Sequence, residues 1–143
     1  MTSAVLEKVD IKNEGIAREW SVCHYMGIER TTHDHTSYDK DSDVVINDMK
    51  ISVKSSAFTL MSGTLCEGRT DFEGIWKLYE SKVHSNTFAY VTKDYTMYLM
   101  NMEEFKEFVY RFCTLDKESG SKLPKIRCRK ESSKMIKWLE AQI

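Results

Sequence analysis

Asp43, Ser52 and Lys54 are the residues whose types and order most directly suggest chemistry. Two short β-branched segments, residues 44–46 and 51–53, lie on either side of an Asn-Asp pair, and this pattern predicts an antiparallel hairpin. Asp43 opens the first strand and Lys54 closes the second, so both are expected at the open end of the hairpin. Residues two apart in a strand share a face, which places Ser52 beside Lys54.

A carboxylate and an ammonium group at such a position have two interpretations. They can form an exposed ion pair, which contributes about 0–1 kcal/mol to stability. They can instead belong to a phosphodiester hydrolysis site, which needs a cation at the phosphate, a polarised water and stabilisation of the leaving oxygen. Magnesium uses one or two carboxylates with waters and substrate oxygens, so Asp43 is a candidate ligand. Lys54 is then the candidate for orienting water or stabilising negative charge.

The order Asp43, then Ile51-Ser52-Val53-Lys54-Ser55-Ser56, resembles the PD-(D/E)xK nuclease superfamily of restriction enzymes and junction resolvases. Residues 14–22 resemble the first helix of that superfamily. The resemblance implies an α/β (α+β) fold with a restriction-endonuclease-like mixed sheet flanked by helices. The superfamily core is a helix, a meander of three strands, a second helix and a fourth strand. Residues 3–92 match that order, and residues 93–143 are expected to form a C-terminal extension.

The resemblance also implies a Mg²⁺ site, at which Mn²⁺ can substitute. Asp43 would bind the metal, and the backbone carbonyl of Val53 would face it. The first helix of the superfamily often offers a glutamate to the site. Glu19 is the candidate for that role here, and Glu14 competes with it.

Two positions depart from the superfamily pattern. Ser42 replaces the proline that often precedes the aspartate, and Ser52 occupies the position of the second acid. Some restriction enzymes with a similar Ser-Val-Lys form recruit a glutamate from the following segment. Glu67 is the first candidate for that recruited acid, and Glu73 is the second.

A polar loop precedes Asp43 and is expected at the rim of the site. Its His-Asp-His sequence could ligate a transition metal, but no further cysteine or histidine follows at suitable spacing. Substrate contact is therefore the preferred interpretation for the loop. The candidate nucleic-acid contacts in and after the hairpin are His33, His35, Tyr38, Lys40, Ser55 and Ser56.

Basic residues cluster between positions 122 and 137, whereas acidic residues cluster between positions 34 and 48. Residues 125–129 are predicted to form an edge strand, on which Arg127 and Arg129 share one face. With Lys125 and Lys130 they could bind a nucleic-acid backbone. The alternative is a solvated edge strand whose charges prevent sheet-to-sheet association.

The composition is that of an ordinary globular domain. The chain has 143 residues, a net charge of −1, 41% hydrophobic and 30% charged residues, which predicts one domain over residues 1–143. The four cysteines lack the spacing of a zinc or redox motif, and Cys23 and Cys113 are expected to be buried. No apolar stretch is long enough to cross a membrane, so a cytoplasmic protein with reduced thiols is expected.

Periodicity and turn signals predict the other elements. A helix is expected from Ser3 to Met26, with Ser3 as its cap and Gly27 at its end, or two shorter helices if Gly15 interrupts it. Residues 57–61 are either a third strand or the end of the second. The later elements are a helix over 71–83, a hairpin of 87–91 with 96–100, and helices over 102–112 and 132–142. The aromatic residues Trp76, Tyr79, Phe88, Tyr90, Tyr95 and Tyr98 are expected in the core rather than on a base-stacking surface.

Two functions are consistent with these residues. The first is a magnesium-dependent DNA endonuclease, restriction-like or resolvase-like, acting as a homodimer because cutting both strands needs two sites. It would need no organic cofactor and no membrane. The second is a non-catalytic protein of nuclease fold that binds nucleic acid or blocks a nucleic-acid enzyme, as small phage or mobile-element proteins do. Ser52 favours the second function, and the acid at Glu67 favours the first.

Overall fold

The computed structural model describes residues 1–28, 43–61, 70–116 and 125–143. These residues form two β-sheets and four helices. In chain order the elements are β1 (Thr2–Val5), α1 (Glu14–Tyr25), β2 (Val44–Ile46), β3 (Met49–Ser55), β4 (Phe58–Met61), α2 (Phe72–Lys82), β5 (Thr87–Val91), β6 (Thr96–Asn101), α3 (Met102–Phe112), β7 (Cys113–Asp116), β8 (Lys125–Cys128) and α4 (Ser133–Ala141).

The larger sheet has five strands in the order β1-β6-β5-β3-β2. Only β3 and β5 run parallel, and the chain between them passes through α2. Every other neighbouring pair in this sheet is antiparallel. The smaller sheet is antiparallel in the order β4-β8-β7. A mixed sheet flanked by helices was expected and is confirmed at that level.

The hairpin that should carry the site forms as predicted. Val44 pairs with Ile51, and the two-residue turn contains Asn47 with a φ of 52°. Asparagine tolerates this left-handed conformation better than most residues. Asn86 fixes the turn from outside, since its side-chain amide donates to the Asp48 carbonyl at 2.8 Å and its Oδ1 accepts the Lys50 N–H at 3.0 Å.

The five-stranded sheet buries a different core on each face. Alternate strand residues such as Ile51, Ala89 and Met97 pack with Val22 and Cys23 of α1, and this group is called the α1 core. The intervening residues point to the other face, where the second sheet and helices α2, α3 and α4 cover them. The main side chains of this aromatic core are Trp76, Tyr79, Phe88, Tyr90, Tyr98, Phe105 and Phe108. The predicted burial of the six aromatic residues is confirmed, with Tyr95 belonging to the α1 core.

The prediction of one helix from Ser3 to Met26 was wrong over its first half. Residues 2–5 are an edge strand in which Ser3 pairs with Tyr98, because β6 offers its backbone groups antiparallel partners. The helix begins only after Asn13, whose side chain accepts the Ile16 N–H at 3.1 Å and caps it. Gly27, with a φ of 82°, follows its end as predicted.

The second sheet was not foreseen. The resemblance implies a meander of three strands, but β4 leaves the hairpin and pairs with β8 instead of β3. Ser56, with a φ of 49°, lies at the change of direction. The predicted strand near residues 125–129 is present as β8, but it is the central strand of its sheet and not an edge. Strand β7 was missed because it follows α3 without a turn signal.

The remaining predicted helices and the second hairpin are confirmed. Helix α2 is capped by Asp71, and α4 is capped by Ser132. Helix α3 has a capping box, in which Asn101 and Glu104 exchange side-chain to backbone hydrogen bonds. The expected burial of Cys23 and Cys113 is also confirmed.

We expect Phe105 to be a main contributor to stability. Its ring stacks on Phe88 with centroids 4.1 Å apart and planes within 1°. Phe105→Ala should lower the free energy of unfolding by about 3–5 kcal/mol, because a buried ring is replaced by a cavity. Urea denaturation followed by circular dichroism measures this. Tyr25→Ala, at an exposed position, is the control and should change stability by less than about 0.5 kcal/mol. A loss at Phe105 no larger than that of the control would contradict the packing described.

Candidate functional site

Asp43 lies immediately before β2 and is oriented by two hydrogen bonds to β3. Its backbone N–H donates to the Ile51 carbonyl at 2.9 Å. Its carboxylate oxygen Oδ2 accepts the Val53 N–H at 2.7 Å. The second bond is made to a charged acceptor, the stronger kind of protein hydrogen bond. The carboxylate is therefore held against the strand that carries Ser52 and Lys54.

The register places Asp43, Ser52 and Lys54 on one face. Val44 and Ile51 are opposite each other and both point into the α1 core. The adjoining position on each strand, Asp43 and Ser52, must then point to the other face, and Lys54 follows two residues after Ser52. The predicted convergence of Asp43 and Lys54 at the open end of the hairpin is confirmed.

Lys54 is in an unusual environment for a lysine. The residue as a whole is half-buried, whereas its ammonium group is surrounded by protein atoms, and its Nζ lies 5.7 Å from the centre of the Phe58 ring. Burial lowers the pKa of Lys54 below its usual value, and the negative charge of Asp43 only partly opposes that shift. A lysine with a lowered pKa beside a carboxylate is typical of functional sites.

Tyr79 of α2 is a fourth member of this group. Burial, and to a smaller extent the charge of Asp43, raise the pKa of its phenol well above the usual value, so the hydroxyl stays protonated. Helical spacing predicts only that Tyr79 faces inward. Its position near Asp43 follows from how α2 lies over the hairpin, and nothing in the local sequence indicates that.

The protein donor atoms near Asp43 are the smallest set that magnesium commonly uses. The N–H and C=O of one strand residue point to the same side, so the Val53 carbonyl points to the side on which its N–H meets Asp43. One carboxylate and one carbonyl suit an ion that keeps several waters and substrate oxygens. In the described ranges no group of three histidine, cysteine, aspartate or glutamate residues is placed to hold a metal. Glu67, the first candidate for a second acid, lies outside those ranges.

Two other candidate acids, Glu14 and Glu73, have hydrogen-bond partners elsewhere. Helix α1, which carries Glu19, packs on the α1 core, across the sheet from Ser52 and Lys54. Glu14 accepts the Tyr95 hydroxyl at 2.9 Å, and this bond is the main cause that lowers the pKa of Glu14. Glu73 accepts the hydroxyl of Tyr110 at the surface between α2 and α3. The structure therefore brings neither Glu14 nor Glu73 into the group around Asp43.

The predicted nucleic-acid contacts are divided between two places. Ser55 ends β3, and Ser56 follows it at the change of direction into β4. Lys125 and Arg127 lie on β8, with Arg129 and Lys130 directly after it. His33, His35, Tyr38 and Lys40 fall outside the described residues. The serines are thus close to Lys54 in sequence, whereas the basic residues belong to the second sheet.

No family model, no curated protein and no solved structure matches the chain significantly. Among the described residues, no helix is both long enough and apolar enough to span a membrane.

We expect Lys54 to lower the stability of the protein near neutral pH. Because the pKa of Lys54 is lowered in the folded state, folding disfavours its protonated form at any pH below the folded pKa. That cost disappears as pH rises from the folded pKa toward the unfolded value of about 10.4. Lys54→Met should therefore need more urea to unfold than the wild type near pH 7, and the difference should shrink as pH approaches 10.

Lys50→Met is the matched control, since Lys50 lies on the same strand but is exposed. It should leave the urea midpoint nearly unchanged across that pH range. A Lys54→Met variant that is less stable than wild type near pH 7 would show that Lys54 serves mainly as a structural ion pair.

Proposed function

We propose that this protein is a magnesium-dependent nuclease that hydrolyses DNA phosphodiester bonds. The observation that carries the proposal is the convergence of Asp43 and a desolvated Lys54 at the open end of one hairpin. Burial costs a lysine ammonium its hydration, and a desolvated lysine beside a carboxylate is a candidate for a functional site. The resemblance of residues 43–56 to the PD-(D/E)xK pattern supports the same chemistry. A restriction-endonuclease-like fold and action as a homodimer are parts of this proposal.

Each residue has a distinct role in the proposed reaction. Asp43 would hold the cation with help from the Val53 carbonyl, and the bound ion supplies charge neutralisation and a polarised water. Lys54 would face the phosphate from a low-dielectric position, where its attraction for developing negative charge is greater than in water. Because its pKa is lowered, Lys54 also exchanges its proton more readily than an ordinary lysine. Tyr79 stays protonated and contributes a dipole near Asp43 rather than a second negative charge.

One observation favours a second function, a non-catalytic nucleic-acid-binding or enzyme-blocking protein. Ser52 stands where the superfamily usually has an acid, and it is buried beside Lys54. A hydroxyl is a weaker magnesium ligand than a carboxylate. If no recruited acid completes the site, Lys54 and Asp43 would form a site without activity.

Cleavage of supercoiled plasmid in the presence of Mg²⁺ tests the proposal directly. Wild type should nick or linearise the plasmid, and EDTA should abolish the reaction. Asp43→Asn and Lys54→Met should each lower the rate at least about a hundredfold, the scale expected when a charge-stabilising group is removed. Lys50→Met should cut like the wild type. Intact plasmid with well-folded wild-type protein, in both Mg²⁺ and Mn²⁺, would favour the non-catalytic function.

The recruited acid can be tested separately. We expect Glu67→Ala to weaken Mg²⁺ binding measured by calorimetry, because it would remove one of two carboxylates from the metal. Glu73→Ala is the matched comparison, since Glu73 is occupied by Tyr110. Equal affinities of Glu67→Ala and wild type would remove Glu67 from the proposed metal site.

A further inference from the structure

The outer face of the second sheet carries a row of hydrogen-bonding side chains. Arg127 in the central strand has Thr59 opposite it on β4 and Thr114 opposite it on β7. All three are exposed, whereas the flanking residues Ile126 and Cys128 are buried beneath them. The sheet thus presents one hydroxyl on each side of a guanidinium, all pointing to solvent.

A second feature of this face is an acid shared by two arginines. Asp116 ends β7 and lies diagonally across from Arg127. Its Oδ2 is 3.5 Å from the Arg127 Nη1, and its Oδ1 is 3.5 Å from the Arg129 Nη2. The arginine side chains are 45% and 65% exposed, but that of Asp116 is only 17% exposed. One half-buried carboxylate therefore holds two exposed guanidinium groups by long contacts.

These contacts are weak enough to be exchanged for a better acceptor. Exposed ion pairs contribute little to stability, and the 3.5 Å distances here exceed the 2.7–2.9 Å of a strong charge-assisted bond. A phosphate offers more acceptor oxygens than Asp116 and suits the planar guanidinium fork. Among the described residues of this face, two arginines share one aspartate, which leaves an excess positive charge.

We propose that this outer face binds the phosphate backbone of duplex DNA, with Asp116 holding Arg127 and Arg129 until phosphates displace it. The proposal rests on the proposed function, because it names the surface that would hold the substrate of that site. Strand β4 connects this outer face to the site around Asp43. Its Phe58 ring lies near the Lys54 ammonium group, and the next residue, Thr59, lies opposite Arg127 on the outer face. Phosphate contacts of this kind orient DNA without reading its sequence.

Fluorescence anisotropy with a short labelled DNA duplex of mixed sequence, in EDTA so that nothing is cut, measures the surface directly. Arg127→Gln with Arg129→Gln should weaken binding at low salt. Each lost phosphate contact should reduce the slope of log affinity against log salt by about 0.9. Asp116→Asn should act in the opposite direction and tighten binding about two- to tenfold, because the competing carboxylate charge is gone. Arg111→Gln, on α3 and paired with Glu107 at 2.9 Å, is the control for net charge and should match wild type.

The outcomes separate this surface from the nuclease proposal. Wild-type affinity and slope in the double variant, or unchanged or weaker binding in Asp116→Asn, would overturn the surface. If the binding variants behave as expected while no protein cuts plasmid, the surface is supported and the nuclease proposal fails. If wild type cuts plasmid but the double variant binds like wild type, the nuclease proposal is supported and this surface is excluded.

Discussion

The hydrogen bond from the Val53 N–H to the Asp43 carboxylate is the constraint on which the candidate site depends. It fixes the carboxylate at the place where β2 begins, beside the second half of β3. A shift of one residue in this pairing would turn Ser52 and Lys54 into the α1 core. The turn at Asn47, with Asn86 holding it from outside, prevents that shift. The register of the hairpin therefore determines the geometry of the candidate site.

The surroundings of Lys54 on its face of the sheet explain why its pKa is lowered. Helices α2 and α3 and strand β4 cover that face with aromatic side chains, and the Lys54 Nζ lies 5.7 Å from the centre of the Phe58 ring. The carboxylate of Asp43, which attracts this ammonium group, is itself committed to a backbone N–H, and this limits how far it can offset the loss of hydration. The same helices keep Tyr79 protonated. The low dielectric of the site is thus a consequence of the aromatic core.

Much of the local structure was predictable because it depends on neighbouring residues. The Asn47 turn and the helices α2, α3 and α4 depend on signals within a few positions, and each was found as expected. The wrong predictions depend on distant partners. Residues 2–5 are a strand only because β6 offers them an edge, and β4 belongs to another sheet only because β8 lies beside it.

The same distinction applies to the site. Alternation and hairpin geometry are sufficient to bring Asp43 and Lys54 together, because the two are joined by one short hairpin. The contribution of Tyr79 depends on how α2 crosses the sheet, and the pairing of Asp116 with two arginines depends on the register of β7 and β8. Sequence spacing carries no information on either. The basic residues between positions 122 and 137 were recognised from composition, but Asp116, which pairs with Arg127 and Arg129, was not.

The left-handed backbone at Ser56 has a consequence for communication within the molecule. By turning the chain there, it gives β3 to one sheet and β4 to the other, so that Phe58 and Thr59 are adjacent in sequence but serve opposite sides of the second sheet. A ligand that moves β4 changes the surroundings of the Lys54 nitrogen. Thermodynamic reciprocity then requires the protonation of Lys54 to alter the affinity for that ligand by the same factor. Strand β4 is therefore the element through which any such coupling between the two sheets would act.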